Sequence, residues 1–178
     1  MNSVRGAVLA VILMGAVVSD VRSRRIPNLL TFPGLALGLL LWTAEAGWDG
    51  LLEGLAGAAT GAALLFLPFA LGGLGAGDVK LMAVVGAFGG VTLVIQAFFT
   101  AALAGGLASA FLLWRAGRLG TTLRTILWDC LALVAPAVPF LPLPPRPAGE
   151  QERGVATALP YGVAIAFGAA VAWLWRMR

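Results

Sequence analysis

The chain has 178 residues, 60% of them hydrophobic and 11% charged, with twelve Lys and Arg against eight Asp and Glu and a net charge of +4. Soluble domains average about 25% charged residues, so these few charges exclude an ordinary soluble enzyme and a disordered chain and make lipid the solvent. One cysteine, Cys130, and no histidine exclude an internal disulfide, a multi-cysteine zinc site and imidazole chemistry. In so apolar a chain the excess of bases reads as a topology signal rather than a nucleic-acid surface.

A spanning helix needs about 20 mostly apolar residues. The hydrophobic pattern predicts one at Val4–Ser19, short and with Arg5 at its outer end. Further spans follow from Asn28 to Ala46, from Leu51 to Leu71, from Val79 to a break at Gly89-Gly90, from Val91 to Trp114, and from Val155 to Trp175. The expectation is an all-α, polytopic membrane bundle of about six helices forming one domain over residues 1–178. Read differently, Val4–Ser19 is a cleaved signal peptide with Ser19 at the cut. That would leave a chain starting at Asp20.

Residues 115–153 stand apart as an interfacial or cytoplasmic segment. Arg115, Arg118 and Arg124 alternate with Leu119, Leu123, Ile126 and Leu127, the pattern of an amphipathic helix lying in the interface. Asp129 and Cys130 fall within it and are read as interfacial, without chemistry. Six of the ten prolines then lie between Pro136 and Pro147 and break any helix there. A seventh span through Thr125–Leu143 stays open.

Basic residues orient the bundle. Arg22, Arg24 and Arg25 read as cytoplasmic, and Glu45, Asp49 and Glu53 form an acidic outer loop. The loop ending in Lys80 is inside. Trp42 and Trp48 are expected at the outer interface, Trp114 near the cytoplasm, and Trp173 and Trp175 at the final end. Small residues recur at helical spacing, Gly50, Gly54, Gly57 and Gly61 in one stripe and Ala101, Gly105 and Ser109 in another. Such stripes let membrane helices approach closely.

Two acids need explaining. Asp20 is expected to end the first helix, and Asp78 sits between the third and fourth, so parity puts both at the cytoplasmic face. Ionisable groups near lipid default to function. Two carboxylates there can share a proton and activate a water, one as base and the other as acid. In the plainer alternative Asp20 pairs with the arginines and Asp78 caps a helix. Gly75 and Gly77 tip the balance, because bare backbone beside Asp78 admits an extended peptide. The helix dipole makes Asp78, at a helix N-terminus, the base and Asp20 the protonated acid, with the nearby arginines acting against this. Asn28 reads as a helix cap after Pro27. Arg22, Arg24, Arg25 and Lys80 read as topology and anionic-lipid contacts, with a role for Lys80 beside the pair as the sharper reading.

Together Asp20-Val21-Arg22-Ser23-Arg24-Arg25-Ile26-Pro27-Asn28 and Gly75-Ala76-Gly77-Asp78-Val79-Lys80-Leu81-Met82 resemble the two motifs of the type IV prepilin peptidases, GxGD membrane aspartic proteases. Leu159-Pro160-Tyr161-Gly162 is similar to that family's Pro-aromatic-Gly start to a late helix. The resemblance implies that Asp20 and Asp78 are the catalytic pair, with Gly75, Gly77, Lys80, Pro27 and Asn28 as supporting motif residues and no cofactor or metal. It implies cleavage after a glycine, removing a basic leader from prepilin or pseudopilin precursors at the cytoplasmic side of a bacterial inner membrane. The chain has no CxxC and no room for the family's cysteine-bearing insert before Asp20. The implied form is thus the short, peptidase-only one of tight-adherence pili. The rival classes are a small transporter with both acids in an ion path, and a scaffold of a secretion complex. Neither rival accounts for an acid flanked by glycines at one membrane face.

Overall fold

The computed structural model describes residues 3–134 and 161–176. Every element among these residues is a helix: α1 (Ser3–Ser23), α2 (Asn28–Ala70), α3 (Ala76–Arg115), α4 (Leu119–Val134) and α5 (Tyr161–Arg176). α1, α2 and α3 contain segments long and apolar enough to cross a membrane. The chain divides into two compact units, Met1–Gly105 with Pro160–Arg178, and Gly106–Leu159.

α2 has 43 residues and α3 has 40. At 1.5 Å per residue, straight helices of that length would run about 60 Å, twice the hydrocarbon thickness. Both instead fold back. α2 leaves helical geometry at Ala46 (φ −132°, ψ 16°) and Gly47 (φ 60°, ψ −135°). A positive φ of this kind is open to glycine at little cost. Past the break the second arm returns along the first: a methyl on Gly50 would overlap the Trp42 carbonyl, and one on Gly54 would lie 3.0 Å from Leu39. α3 reverses at Gly90 (φ 75°, ψ −177°). Its first arm lies beside the first arm of α2, with Gly34 against Val84 and Gly38 against Ala87 and Phe88. Its second arm runs back along α5, with Gly168 against Ala97 and Ala101, and Gly105 against Ala164. The reversals fall where the hydrophobic pattern breaks, at Ala46 and Gly89-Gly90.

The tightest approach joins the second arm of α2 to the first arm of α3. A methyl on Gly57 would overlap the Gly86 carbonyl oxygen, one on Gly86 the Gly57 oxygen, and one on Gly61 the Met82 oxygen. The glycine stripe therefore serves packing, as the spacing predicts. Phe88, Leu65, Leu81, Met82, Leu93 and Ile165 fill the core, while Val11, Met14, Phe99 and Leu103 point outward. α1 closes the unit through Ile12 against Gly34, Leu30 against Gly15 and Trp173 against Gly6.

A reversal inside an apolar bundle orphans backbone groups. At Gly90 four side chains take them up, Arg5 among them with a bond from its guanidinium to the Phe88 carbonyl at 3.4 Å. Trp42 Nε1 donates to the Phe88 carbonyl at 3.1 Å, Arg176 donates to the Gly89 carbonyl at 2.7 Å, and Glu53 accepts from the Val91 N–H at 3.2 Å. Arg5 joins this end. It is 3% exposed, pairs with Glu45 at 2.9 Å and lies 3.7 Å over the Trp42 ring. The sequence placed Arg5 at the outer end of its span and Trp42 outside; here Arg5 is buried against a half-buried Trp42 and an exposed Glu45. Trp173, expected at an interface, is 8% exposed inside the core, whereas Trp48, Trp114 and Trp175 are exposed.

In the other unit α3 ends on Gly117 (φ 66°), whose N–H donates to the Trp114 carbonyl while that of Arg118 donates to the Leu113 carbonyl. This is the paired closure of a helix on a left-handed glycine. α4 occupies the predicted amphipathic segment, with Arg118, Leu123, Arg124, Ile126 and Leu127 exposed. The proline run at 136–147, the later part of a seventh span (135–143) and the start of the last span (155–160) lie outside the described residues.

The backbone contacts make a prediction. Gly57→Ala and Gly86→Ala should each cost about 1–3 kcal/mol from overpacking, read as a lower unfolding midpoint in detergent. Gly106→Ala, with nothing near its added methyl, should be neutral or slightly stabilising.

Candidate active site

The end of the first unit opposite the Arg5 cluster holds both acidic motifs. Asp20 lies fifteen residues along α1 from Arg5, about 22 Å at 1.5 Å per residue. α1 runs three residues beyond Asp20, to Ser23, so Asp20 lies in its last turn rather than at its final residue. The Asp20 carbonyl accepts the Arg24 N–H at 2.8 Å, and Arg24 takes φ 50°. The Ser19 hydroxyl donates to the Arg25 carbonyl at 2.8 Å, and the Ser23 hydroxyl donates to the Ser19 carbonyl, also at 2.8 Å, with the Arg25 carbonyl 3.3 Å away. These bonds fold the basic stretch tightly and deliver Ile26 inward. Ile26 is 8% exposed, while Arg22, Arg24 and Arg25 are exposed. Pro27, extended at φ −70° and ψ 142°, then starts α2. Its fixed φ suits that position.

The second motif is built by two turns. Gly72 (φ 77°) ends α2, with its N–H on the Phe69 carbonyl and that of Gly73 on the Pro68 carbonyl. After Gly75 the chain enters α3, and Asp78 lies in its first turn. The Gly75 N–H donates to Asp78 Oδ2 at 3.1 Å, and the Asp78 N–H donates to the Gly75 carbonyl, also at 3.1 Å. A loop–carboxylate ring of this kind holds an acid at a helix N-terminus.

Two contacts bring the motifs together. Ile26 fills the space beside Gly77, where an added methyl would lie 3.0 Å from the Ile26 Cβ. Lys80 Nζ donates to Asn28 Oδ1 at 2.8 Å, and Nζ lies 5.3 Å from the Phe32 ring centre. The charge of Asp20 acts on Asp78, and that of Asp78 acts on the Tyr161 hydroxyl. Asp20 is 6% exposed and Asp78 is half-buried. No cluster of three metal-ligating side chains occurs among the described residues.

Three expectations change. Asn28 caps nothing: Pro27 occupies the cap position without a side-chain bond, and Asn28 instead accepts from Lys80. Gly77 makes room for Ile26 of the first motif rather than for a ligand, whereas Gly75 is exposed. The dipole contrast between the acids also fails. Asp20 lies in the last turn of α1 but faces the start of α5, whose Gly162 N–H donates to Asp20 Oδ2 at 2.9 Å. Both carboxylates therefore meet a main-chain donor at a helix N-terminus. The sequence drew attention to Tyr161-Gly162 only as a family echo. Nothing in its spacing shows that this segment reaches Asp20, 142 residues away.

A family model described as the type IV leader peptidase family matches residues 7–110. The chain belongs to the type IV leader peptidase family. It is 38% identical over 104 residues to a prepilin leader peptidase/N-methyltransferase of Bacillus subtilis (strain 168), covering 56% of this chain and 40% of that protein. The chain thus spans less than half the length of this relative. No solved structure matches it. The matched residues of the family contain both acidic motifs and both contacts that join them.

The Lys80–Asn28 bond is testable by a double-mutant cycle. Lys80→Met and Asn28→Ala should each lower thermal stability, and their combination should fall short of the sum by about 1 kcal/mol. Additive losses would show that the bond does not hold the motifs together.

Proposed function

We propose that this protein is a membrane aspartic endopeptidase that removes the leader from type IV prepilin or pseudopilin precursors, with Asp20 and Asp78 as its catalytic pair. The observation that carries this reading is the joining of two acidic motifs, 58 residues apart in the chain, at one end of the bundle through Ile26 on Gly77 and Lys80 on Asn28. Family membership supports the reaction class.

In this mechanism a water lies between the carboxylates. One carboxylate takes a proton from it as the oxygen attacks the scissile carbonyl carbon. The other, protonated, gives its proton to the carbonyl oxygen. The tetrahedral intermediate then collapses, the C–N bond breaks and the nitrogen leaves with a proton from the pair. Two acids that repel each other in apolar surroundings favour a single shared proton. Exposed Gly75 offers the bare backbone past which an extended substrate strand would lie.

The same reading gives the bundle six membrane crossings: α1, the two arms of α2, the two arms of α3, and α5. The reversals at Ala46–Gly47 and Gly90 support it, as does the Arg5–Glu45 pair at the end away from the acids. Arg22, Arg24, Arg25 and Lys80 surround the acidic end, which favours a cytoplasmic site in a bacterial inner membrane by the positive-inside rule. On this reading residues 1–178 act as one peptidase domain without a cofactor.

Co-expression with prepilins from the same genome, followed by gel shift and intact mass, tests this. Wild type should cut once, after a glycine. Asp20→Asn and Asp78→Asn, inserted normally, should each lose at least about 10²–10⁴-fold in rate. Cutting that persists in both variants would overturn the pair. Failure of well-inserted wild type to cut any of the genome's prepilins would overturn the peptidase reading.

A further inference from the structure

The first N–H groups of a helix have no intrahelical acceptor. Gly162 is the second residue of α5, and its N–H spends that free valence on Asp20 Oδ2 at 2.9 Å, in a buried setting. Gly162 itself is buried. The contact tolerates no side chain. A methyl on Gly162 would sit 2.7 Å from Asp20 Oδ2, 3.2 Å from Cγ and 3.3 Å from Cβ. The carboxylate is thus held against bare backbone on one side and bonded through one chosen oxygen. α5 is itself locked in place lower down. Gly168 lies against the Ala97 carbonyl and against Ala101, with no space for a methyl group between the backbones. The start of α5 therefore has a fixed position from which to hold Asp20.

We propose that Gly162 is a positioning residue for the catalytic pair: its main-chain N–H fixes the orientation of the Asp20 carboxylate, and its missing side chain is what lets that N–H reach it. This rests on the peptidase reading for its consequence in catalysis, but the contact can be tested without catalysis. The Gly162 N–H bonds Asp20, so Gly162 acts on the pair through that carboxylate. A hydrogen bond to a charged acceptor is among the stronger ones in proteins, and small displacements of a catalytic group are costly in rate.

Two measurements decide it. In the cleavage assay Gly162→Ala should lower kcat by about ten- to a hundredfold with KM within about twofold of wild type. Val163→Ala, on the outward face of the same turn, should leave both unchanged. A Gly162→Ala variant that inserts normally and cuts at the wild-type kcat would overturn the proposal, as would a rise in KM alone. In hydrogen exchange followed by mass spectrometry, Asp20→Ala should speed exchange of one amide in the peptide that contains Gly162, and Asp78→Ala should not. Unchanged protection in Asp20→Ala would overturn the proposal. If wild type cuts no prepilin, or if Gly162→Ala fails to insert, the exchange comparison alone decides whether this N–H holds Asp20. Failure of the peptidase reading is thereby separated from failure of the contact.

Discussion

The backbone of α2 at Gly57 and Gly61 lies against the backbone of α3 at Gly86 and Met82, with no space for a methyl group between them. In lipid, helices gain little from burying apolar surface, because the alternative solvent is equally apolar. What holds them together is close packing and the satisfaction of polar groups. The glycine contact therefore sets both the distance and the register of the central helices. Once Gly57 faces Gly86, the turn at Gly72 and the start of α3 are fixed, and Asp78 comes to the same end as Ile26 and Asn28. The Ile26–Gly77 and Lys80–Asn28 contacts depend on that register, while Asp20 is held from α5 through Gly162.

The bundle keeps its polar groups at two ends, and each end solves a different problem. At the Gly90 reversal, Trp42, Arg176 and Glu53 take up the carbonyls and N–H that the break exposes, and Arg5 is balanced by Glu45 and the Trp42 ring. These groups bond one another and the backbone at the break, and the Arg5 Nε alone is left without a partner among the buried side-chain atoms of the described residues. At the other end the carboxylates each receive one main-chain N–H, from Gly162 and Gly75. A carboxylate has room for about four such bonds, so both acids keep acceptor capacity beyond these bonds.

The local devices around the acids are of a common kind. The Ser19 hydroxyl stitches the basic stretch at Arg25, a left-handed glycine closes α2, and a loop amide rings Asp78. Each fixes a short segment by hydrogen bonds to its own backbone. None would hold the pair without the two long-range contacts, because rigid loops on unregistered helices would still present their acids apart.

Much of this was legible in the sequence. The apolar segments and their breaks at Ala46 and Gly89-Gly90 follow from the length a helix needs to cross lipid. The glycine stripe follows from helical spacing, and the importance of Asp20 and Asp78 from the cost of charge in an apolar chain. Their flanking motifs gave the family. The sequence misjudged groups whose role depends on a distant partner. Trp173 looked interfacial and is buried, Asn28 looked like a cap and instead accepts from Lys80, and Gly77 looked like an opening and is filled by Ile26. The contrast drawn between the acids vanished because the start of α5 faces Asp20. Composition and periodicity act locally and determine which segments are helices in lipid and which residues are costly there. Which backbone N–H meets which carboxylate is decided by packing between segments up to 142 residues apart, and only the tertiary structure fixes that.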